Sequence, residues 1–348
     1  MKKLLFILLL PTFSFGQVAT FGEDAQKLKY ANSIQVADLE KHLLVLASDS
    51  LEGRETGQLG QKMAAEYIAN HFKSIGIPPY KRNTYYQKFS VNSGRHLCKC
   101  STCDAPYLKN VLSKNKVKGE NVLGYIEGSD LKDELVIITA HYDHLGKHDS
   151  LIYNGADDDG SGTVATLEIA EAFMLAKKEG KGPRRSVLIM PVSGEEKGLL
   201  GSKYYTDNPV YALENTVANL NIDMIGRVDE YHENPDYVYL IGSDRLSTEL
   251  HEISERVNEK HFNLELDYTF NAKDDPNRYY YRSDHYNFAK NNIPVIFYFN
   301  GVHEDYHKTT DTVEKINFEK IEKISRLVFL TAWELANRED RPLVDSVE

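Results

Sequence analysis

The chain has 348 residues, 41% of them hydrophobic and 27% charged, enough for a sizeable core in one large domain or two small ones. Its formal net charge of -11 argues against nucleic acid or an anionic membrane as a partner. Met1-Lys2-Lys3, the apolar run Leu4 to Leu10 and the small residues leading to Gly16 have the form of a secretory signal peptide, cleaved near Gly16–Gln17 and too short to span a bilayer. The mature protein is therefore expected to be residues 17–348, secreted to the periplasm or the exterior, without stable membrane insertion.

Apolar residues at helical spacing predict helices over Val36–Ala47 and Gln58–Gly76, the second closed by a glycine ahead of Ile77-Pro78-Pro79. Residues 91–117 are Lys- and Asn-rich without clear periodicity and read as a small insertion. It holds all three cysteines, Cys98, Cys100 and Cys103. In a secreted protein these suggest one local disulfide and a free thiol, or a small zinc knot with His96 as fourth ligand. Strands are expected over Asn121–Glu127, Leu135–Ala140, Ser186–Val192, Val217–Ile222, Tyr237–Ile241 and Ile293–Phe299. They alternate with helices over Gly162–Lys178, Leu199–Thr206, Ser247–His261, Ser283–Asn291 and Phe318–Asn337. This alternation predicts one α/β domain with a mostly parallel central sheet flanked by helices. The unbroken apolar runs Leu-Val-Ile-Ile-Thr-Ala and Ser-Val-Leu-Ile-Met-Pro-Val fit strands buried on both faces.

In open α/β sheets, sites form beyond the carboxyl ends of strands. Here three strands end in ligand-type residues: His141, Glu195-Glu196 and Asp223. His141 and Asp143 form a His-x-Asp, in which the carboxylate could take the second ring nitrogen of a metal-bound histidine. His144 and His148 nearby read as loop residues. Asp157-Asp158-Asp159 before Gly160-Ser161-Gly162 crowds three carboxylates, which calls for a cation or for side chains that fan apart. Calcium is a rival reading, because Asp157, Asp159, Ser161, Gly162 and Glu168 fit the spacing of an EF-hand loop. No helix enters that loop, however, and the two readings part cleanly: zinc needs Asp158, calcium needs Asp157 and Asp159. Of the adjacent Glu195 and Glu196, one can bind metal while the other takes a proton from an activated water. Asp223, set among Ile and Met, needs a partner or a metal. His307 follows the last strand, with His303 as its local competitor and Asp311 placed to orient it. Two histidines, two terminal carboxylates and one bridging carboxylate suffice for two zinc ions sharing an activated water.

The series Thr139-Ala-His-Tyr-Asp143, Gly155-Ala-Asp-Asp-Asp-Gly-Ser-Gly162, Ser193-Gly-Glu-Glu-Lys-Gly198, Asn221-Ile-Asp-Met224 and His307-Lys-Thr-Thr-Asp-Thr312 resembles the M28 zinc peptidases, which include secreted bacterial leucyl aminopeptidases. The likeness runs from about Leu39 to the final helix and includes Leu51-Glu-Gly-Arg-Glu-Thr-Gly57. It implies a zinc-exopeptidase fold of the phosphorylase/hydrolase-like kind. It implies Asp158 as the bridge between two Zn2+ ions, His141 and Asp223 on one metal, and Glu196 and His307 on the other. It further implies Glu195 as general base, Asp143 as support for His141, and a cis Asp158–Asp159 bond. Tyr280, three residues before Ser283-Asp284-His285, falls where similar enzymes carry an oxyanion-stabilising tyrosine, with Tyr279 and Tyr281 competing for that register. The expected activity is hydrolysis of N-terminal peptide bonds in peptides or proteins. Rivals on the same fold are carboxypeptidases or dipeptidases, glutaminyl cyclases, and a non-catalytic binding module.

Overall fold

The structure is a computed structural model that describes residues 24–92 and 116–346. The leader expected at residues 1–16 and the cysteine cluster lie outside the described residues.

The central strands are β3 (Gly124–Ile126), β4 (Leu131–His141), β7 (Arg185–Val192), β8 (Thr216–Ile222), β9 (Tyr237–Ile241), β10 (Glu265–Asp267) and β11 (Val295–Phe299). They form one sheet in the order β10-β9-β11-β8-β4-β7-β3. β4 pairs in parallel with both β7 and β8, and β8 in parallel with β11. β11–β9 and β3–β7 are antiparallel, so the sheet is mixed with a parallel centre.

The helices are residues 24–31, α2 (Val36–Leu46), α3 (Leu59–Ile75), α4 (Gly162–Lys178), α5 (Leu200–Asp207), α6 (Thr248–His261), α7 (His285–Ala289) and α8 (Phe318–Asn337), with residues 24–31 counted as α1. Successive strand residues face opposite ways, and both faces are covered. Val136, Ile138 and Ala140 of β4 pack with α2, α3, α4, α6 and α8. Leu135 and Ile137 share the other core with Tyr205 of α5 and Phe288 of α7. That double burial is why β4 and β7 carry long apolar runs without alternation, whereas in β8 the buried Asn219 and Asn221 alternate with Leu220 and Ile222 and are hydrogen-bonded.

Several elements go beyond or against the expectations. The run Asn121–Glu127 is not one strand. β2 (Lys116–Val122) pairs with β1 (Tyr86–Asn92) in a separate hairpin, and the chain joins the main sheet only at β3. The hairpin register sets Asn92 opposite Lys116. The loop Gly146–Asn154 contains a second hairpin, β5 (Gly146–His148) with β6 (Leu151–Tyr153). The helix expected over Ser283–Asn291 is confined to α7. Caps behave as their residues predict. Ser247 and Asn317 accept from the N–H groups of Leu250 and Lys320, and Gly76 closes α3 at φ 91.

Candidate metal centre and active site

The parallel pairing of β4 with β7 and β8 brings His141, the Glu195 loop and Asp223 to one edge of the sheet. His141 Nε2 lies 3.2 Å from Asp158 Oδ1, 3.5 Å from Asp223 Oδ1 and 3.9 Å from Glu195 Oε2. Beside this trio, His307 Nε2 lies 3.0 Å from Asp158 Oδ2 and 3.4 Å from Glu196 Oε2. Asp158 is therefore common to both groups, one oxygen toward each.

Main-chain hydrogen bonds set these positions. The three acids of the 157–159 run fan apart. Asp159 accepts from the N–H groups of His141, Gly162 and Met224, tying the loop to the ends of β4 and β8. Asp157 accepts from Gly226 N–H at 2.6 Å and lies 3.2 Å from His303 Nε2. Asp158 alone turns to the pocket, and its peptide bond to Asp159 is cis. The calcium reading fails here, because Asp157 and Asp159 diverge into main-chain bonds and Glu168 faces His42 instead. His303 is likewise engaged with Asp157, away from the ligand position that sequence left open to it. Asp311 takes the N–H groups of Asp157 and Asp158, which clasps the aspartate loop to the His307 loop. Gly155 (φ 56) and Gly162 are required at this turn: a Cβ would fall 2.2 Å from Asp158 O at the first and 2.4 Å from Asp159 Oδ1 at the second.

Asp143 supports His141 differently from the expectation. The His141 Nδ1 bond runs to the main-chain carbonyl of Asp143 at 3.0 Å, while the carboxylate Oδ1 is 3.8 Å away. That carboxylate accepts instead from Thr56 Oγ1 at 2.5 Å and from Glu195 N–H at 3.3 Å, holding the Glu195 loop. Asp223 accepts from Ser283 Oγ, which accepts from Asn221, so a chain of buried hydrogen bonds aims it.

Two contributors were not read from sequence as part of the site. His144, taken as a loop residue, is buried with Nδ1 2.8 Å from Glu196 Oε1 and 3.7 Å from Asp158 Oδ2. Its place at the end of an apolar strand, three residues past His141, was the available signal. Arg54 is fully buried and donates to the carbonyls of Leu46, Tyr142, Asn154 and Gly155, joining the ends of several loops. Burial depresses its pKa, opposed by Asp311, Asp143 and Asp158.

Tyr280 does not line the pocket. It lies in the short 3-10 turn Tyr279–Tyr281, whose successive side chains point about 120° apart. Tyr280 packs inward with the Arg245 guanidinium 3.9 Å from its ring centroid. Tyr279 and Tyr306 line the pocket instead, with an apolar wall of Met224, Phe297, Phe299 and Val302. His307 (φ 57) and Met224 (φ 61), both lining the pocket, hold left-handed backbone conformations that are sparsely populated for such residues.

The electrostatics fit a cation. Burial pushes Glu195 well above the usual carboxylate range, reinforced by Glu196, Asp223 and Asp284 against the opposing pull of His141. Burial also pushes Asp284 up to about 7. Burial opposes ionisation of Glu196, but the His307 and His144 imidazoles outweigh it and hold it at about 2. Burial depresses His141 and His307, yet the surrounding acids leave both well above the ordinary imidazole value. Asp158 Oδ2, Glu196 Oε1 and His144 Nδ1 are buried close together, with His144 Nδ1 3.7 Å from the first and 2.8 Å from the second. Carboxylate and imidazole ligand atoms converging in a buried place are what a metal site provides. Ligand-type atoms of His141, Asp158 and Asp223, and of His144, Asp158 and Glu196, each lie within 4.8 Å of one another.

This α/β sheet with its strand-end trios defines a metallohydrolase type of architecture. The chain belongs to peptidase family M28, whose pattern matches residues 121–332, a zinc-dependent family that acts on peptides. It is 27% identical over 231 residues to Aminopeptidase YwaD of Bacillus subtilis (strain 168), covering 64% of this chain and 46% of that protein. The chain thus spans less than half the length of that relative. It is also 27% identical over 293 residues to a probable leucine aminopeptidase of Trichophyton verrucosum, covering 81% of this chain and 76% of the relative. Among solved structures, a zinc aminopeptidase from Bacillus subtilis superposes with TM-score 0.66 at 18% identity, covering 90% of this chain and 99% of that one. Porphyromonas gingivalis glutaminyl cyclase superposes with TM-score 0.64 at 17% identity, covering 86% and 98%. The fold alone therefore does not choose between these chemistries.

Proposed function

We propose that this chain is a secreted di-zinc aminopeptidase acting on peptides with free N-termini. The observation that carries the reading is the sharing of Asp158 between two groups of ligand atoms. One zinc would be held by His141, Asp158 and Asp223, and a second by Asp158, Glu196 and His307, with His144 beside it. When bound, zinc supplies Lewis acidity, polarising a carbonyl oxygen and lowering the pKa of water.

The remaining work falls to the chain's own groups. Glu195 removes a proton from the attacking water as its oxygen adds to the scissile carbonyl. The C–N bond then breaks, and Glu195 returns the proton to the leaving amine. Asp143 holds Glu195 for this through its N–H. Ser283 keeps the Asp223 carboxylate aimed into the pocket. The acidic lining of Asp158, Glu195 and Asp223 suits a substrate α-ammonium, and the wall of Met224, Phe297, Phe299 and Val302 suits an apolar N-terminal residue. Export rests on the Lys2-Lys3 and Leu4–Leu10 pattern, and N-terminal sequencing of protein from the culture medium or periplasm should begin at Gln17.

The direct test is incubation of the purified protein with a peptide mixture, with and without a zinc chelator, read by mass spectrometry. Stepwise loss from N-termini, abolished by chelator, is expected. Loss from C-termini, cleavage of dipeptides only, or cyclisation of N-terminal glutamine would replace the substrate assignment. Glu195→Gln is expected to keep both zincs and lose about 10²–10⁴-fold in turnover; near-normal turnover would remove Glu195 from the proton-carrying role.

A further inference from the structure

A separate cluster of metal-ligand groups lies in the helical layer. It joins His42 of α2, His71 of α3, and Glu168 and Glu171 of α4. His42 Nε2 lies 3.5 Å from Glu168 Oε1, and His71 Nε2 lies 3.5 Å from Glu171 Oε1. One ligand-type atom each from His42, His71 and Glu171 lies within 4.8 Å of the other two. The imidazole rings stand at 88° with centroids 4.7 Å apart, so neither stacks on the other. Glu168 and Glu171 are three residues apart on α4 and so share a face.

These groups do not satisfy one another. His71 Nε2 and Glu168 Oε1 are buried without a hydrogen-bond partner, in residues 9% and 2% exposed. The 3.5 Å separations are too long for good hydrogen bonds. Leaving such atoms unmade is costly, and a cation among them would satisfy both at once. The rings are also braced from behind, as metal-bound histidines are. His42 Nδ1 lies 2.7 Å from the Tyr67 hydroxyl oxygen, so a proton donated there leaves the Nε2 lone pair facing the cluster. The His71 ring is hydrogen-bonded to the main chain at Leu167. The Glu171 side chain, 44% exposed, opens the cluster to solvent and gives an ion a way in.

We propose that His42, His71, Glu168 and Glu171 form a further metal site for a borderline divalent transition ion such as zinc, which pins α2 and α3 to α4. Two imidazoles and two carboxylates suit zinc or cobalt(II) better than calcium or magnesium, which take all-oxygen shells. The site lacks a water-activating base, and its task is structural. The proposal is independent of the peptidase reading, because none of its groups belongs to the strand-end cluster.

The test loads the full chain with zinc, removes loose metal by gel filtration, and measures bound metal per chain by plasma mass spectrometry. Thermal unfolding is followed in parallel. His71→Ala and Glu171→Gln are each expected to lower the zinc content by one ion per chain relative to wild type and to shrink the zinc-dependent rise in melting temperature. Peptidase turnover is expected to be unchanged in Glu171→Gln. A second measurement uses cobalt(II) in an Asp158→Ala background, which removes the shared ligand of the strand-end cluster. The remaining visible absorption should disappear on adding Glu171→Gln. Glu171 is partly exposed, so this variant keeps the test decisive if His71→Ala does not fold. Equal zinc content in wild type and Glu171→Gln, or a cobalt spectrum indifferent to Glu171→Gln, would overturn the proposal.

Discussion

The cluster at the strand ends and the cluster in the helical layer are both buried and both rich in imidazole and carboxylate, yet they are held in different ways. At the strand ends the groups come from loops far apart in sequence, and the backbone of one loop is bonded to the side chains of another. Asp159 grips the N–H groups of His141 and Met224, Asp311 grips those of Asp157 and Asp158, and Arg54 gathers four carbonyls. In the helical layer the groups sit on three regular helices, and the spacing of helical turns does the positioning, with Tyr67 and the Leu167 main chain as the braces. A loop-built site therefore depends on buried polar residues that touch no ligand, whereas a helix-built site depends on how its helices pack.

The largest expected effect comes from removing the residue that only the strand-end cluster shares. Asp158→Ala should abolish peptide turnover and release the strand-end metals while leaving the helical cluster intact. Metal analysis beside a peptide assay checks this, and full turnover with both strand-end ions retained would break the assignment. Next is Arg54→Met, which keeps bulk but withdraws donors from four carbonyls. A loss of about 3–5 kcal/mol in denaturant unfolding is expected, because buried acceptors are left unmade. A loss under about 0.5 kcal/mol, the level of an ordinary surface substitution, would show that the loops are held by other means.

His144→Asn should weaken zinc at the Glu196 side by about 10–100-fold and let turnover recover at saturating zinc, the behaviour of a residue that orients a ligand. His307→Asn should not recover. Equal loss in both would make His144 itself a ligand. The smallest effect is that of Tyr67→Phe, which removes the hydroxyl facing His42 Nδ1. It should cost about 0.5–1.5 kcal/mol and leave peptide turnover unchanged, measured by unfolding and kinetics. A large kinetic effect would mean that the two clusters communicate.

Much of the fold was legible from local pattern. Gly162–Lys178, Tyr237–Ile241 and Phe318–Asn337 are found with the bounds expected, because periodicity and caps are properties of neighbouring residues. The break of Asn121–Glu127 into two sheets was not legible: strand pairing depends on a distant partner, here Tyr86–Asn92, and an apolar run reads the same on either side of the break. The short strands β5, β6 and β10 gave too few residues for a pattern.

The chain by itself determined which chemistry could assemble, because ligand-type residues follow the strands and parallel strands deliver their ends to one edge. That Asp158 differs from its neighbours was implied by the family resemblance, and it is the structure that turns Asp157 and Asp159 into main-chain bonds. Tertiary structure decided the rest. Whether a histidine in a loop is buried against Glu196, as His144 is, or a tyrosine turns away beneath Arg245, as Tyr280 does, depends on loops remote in sequence. So does the meeting of His42, His71 and Glu171, each of which alone reads as an ordinary helix residue. Local sequence sets backbone conformation and amphipathic faces. Only packing decides which polar groups lose water together, and that shared burial is what turns separate residues into a site.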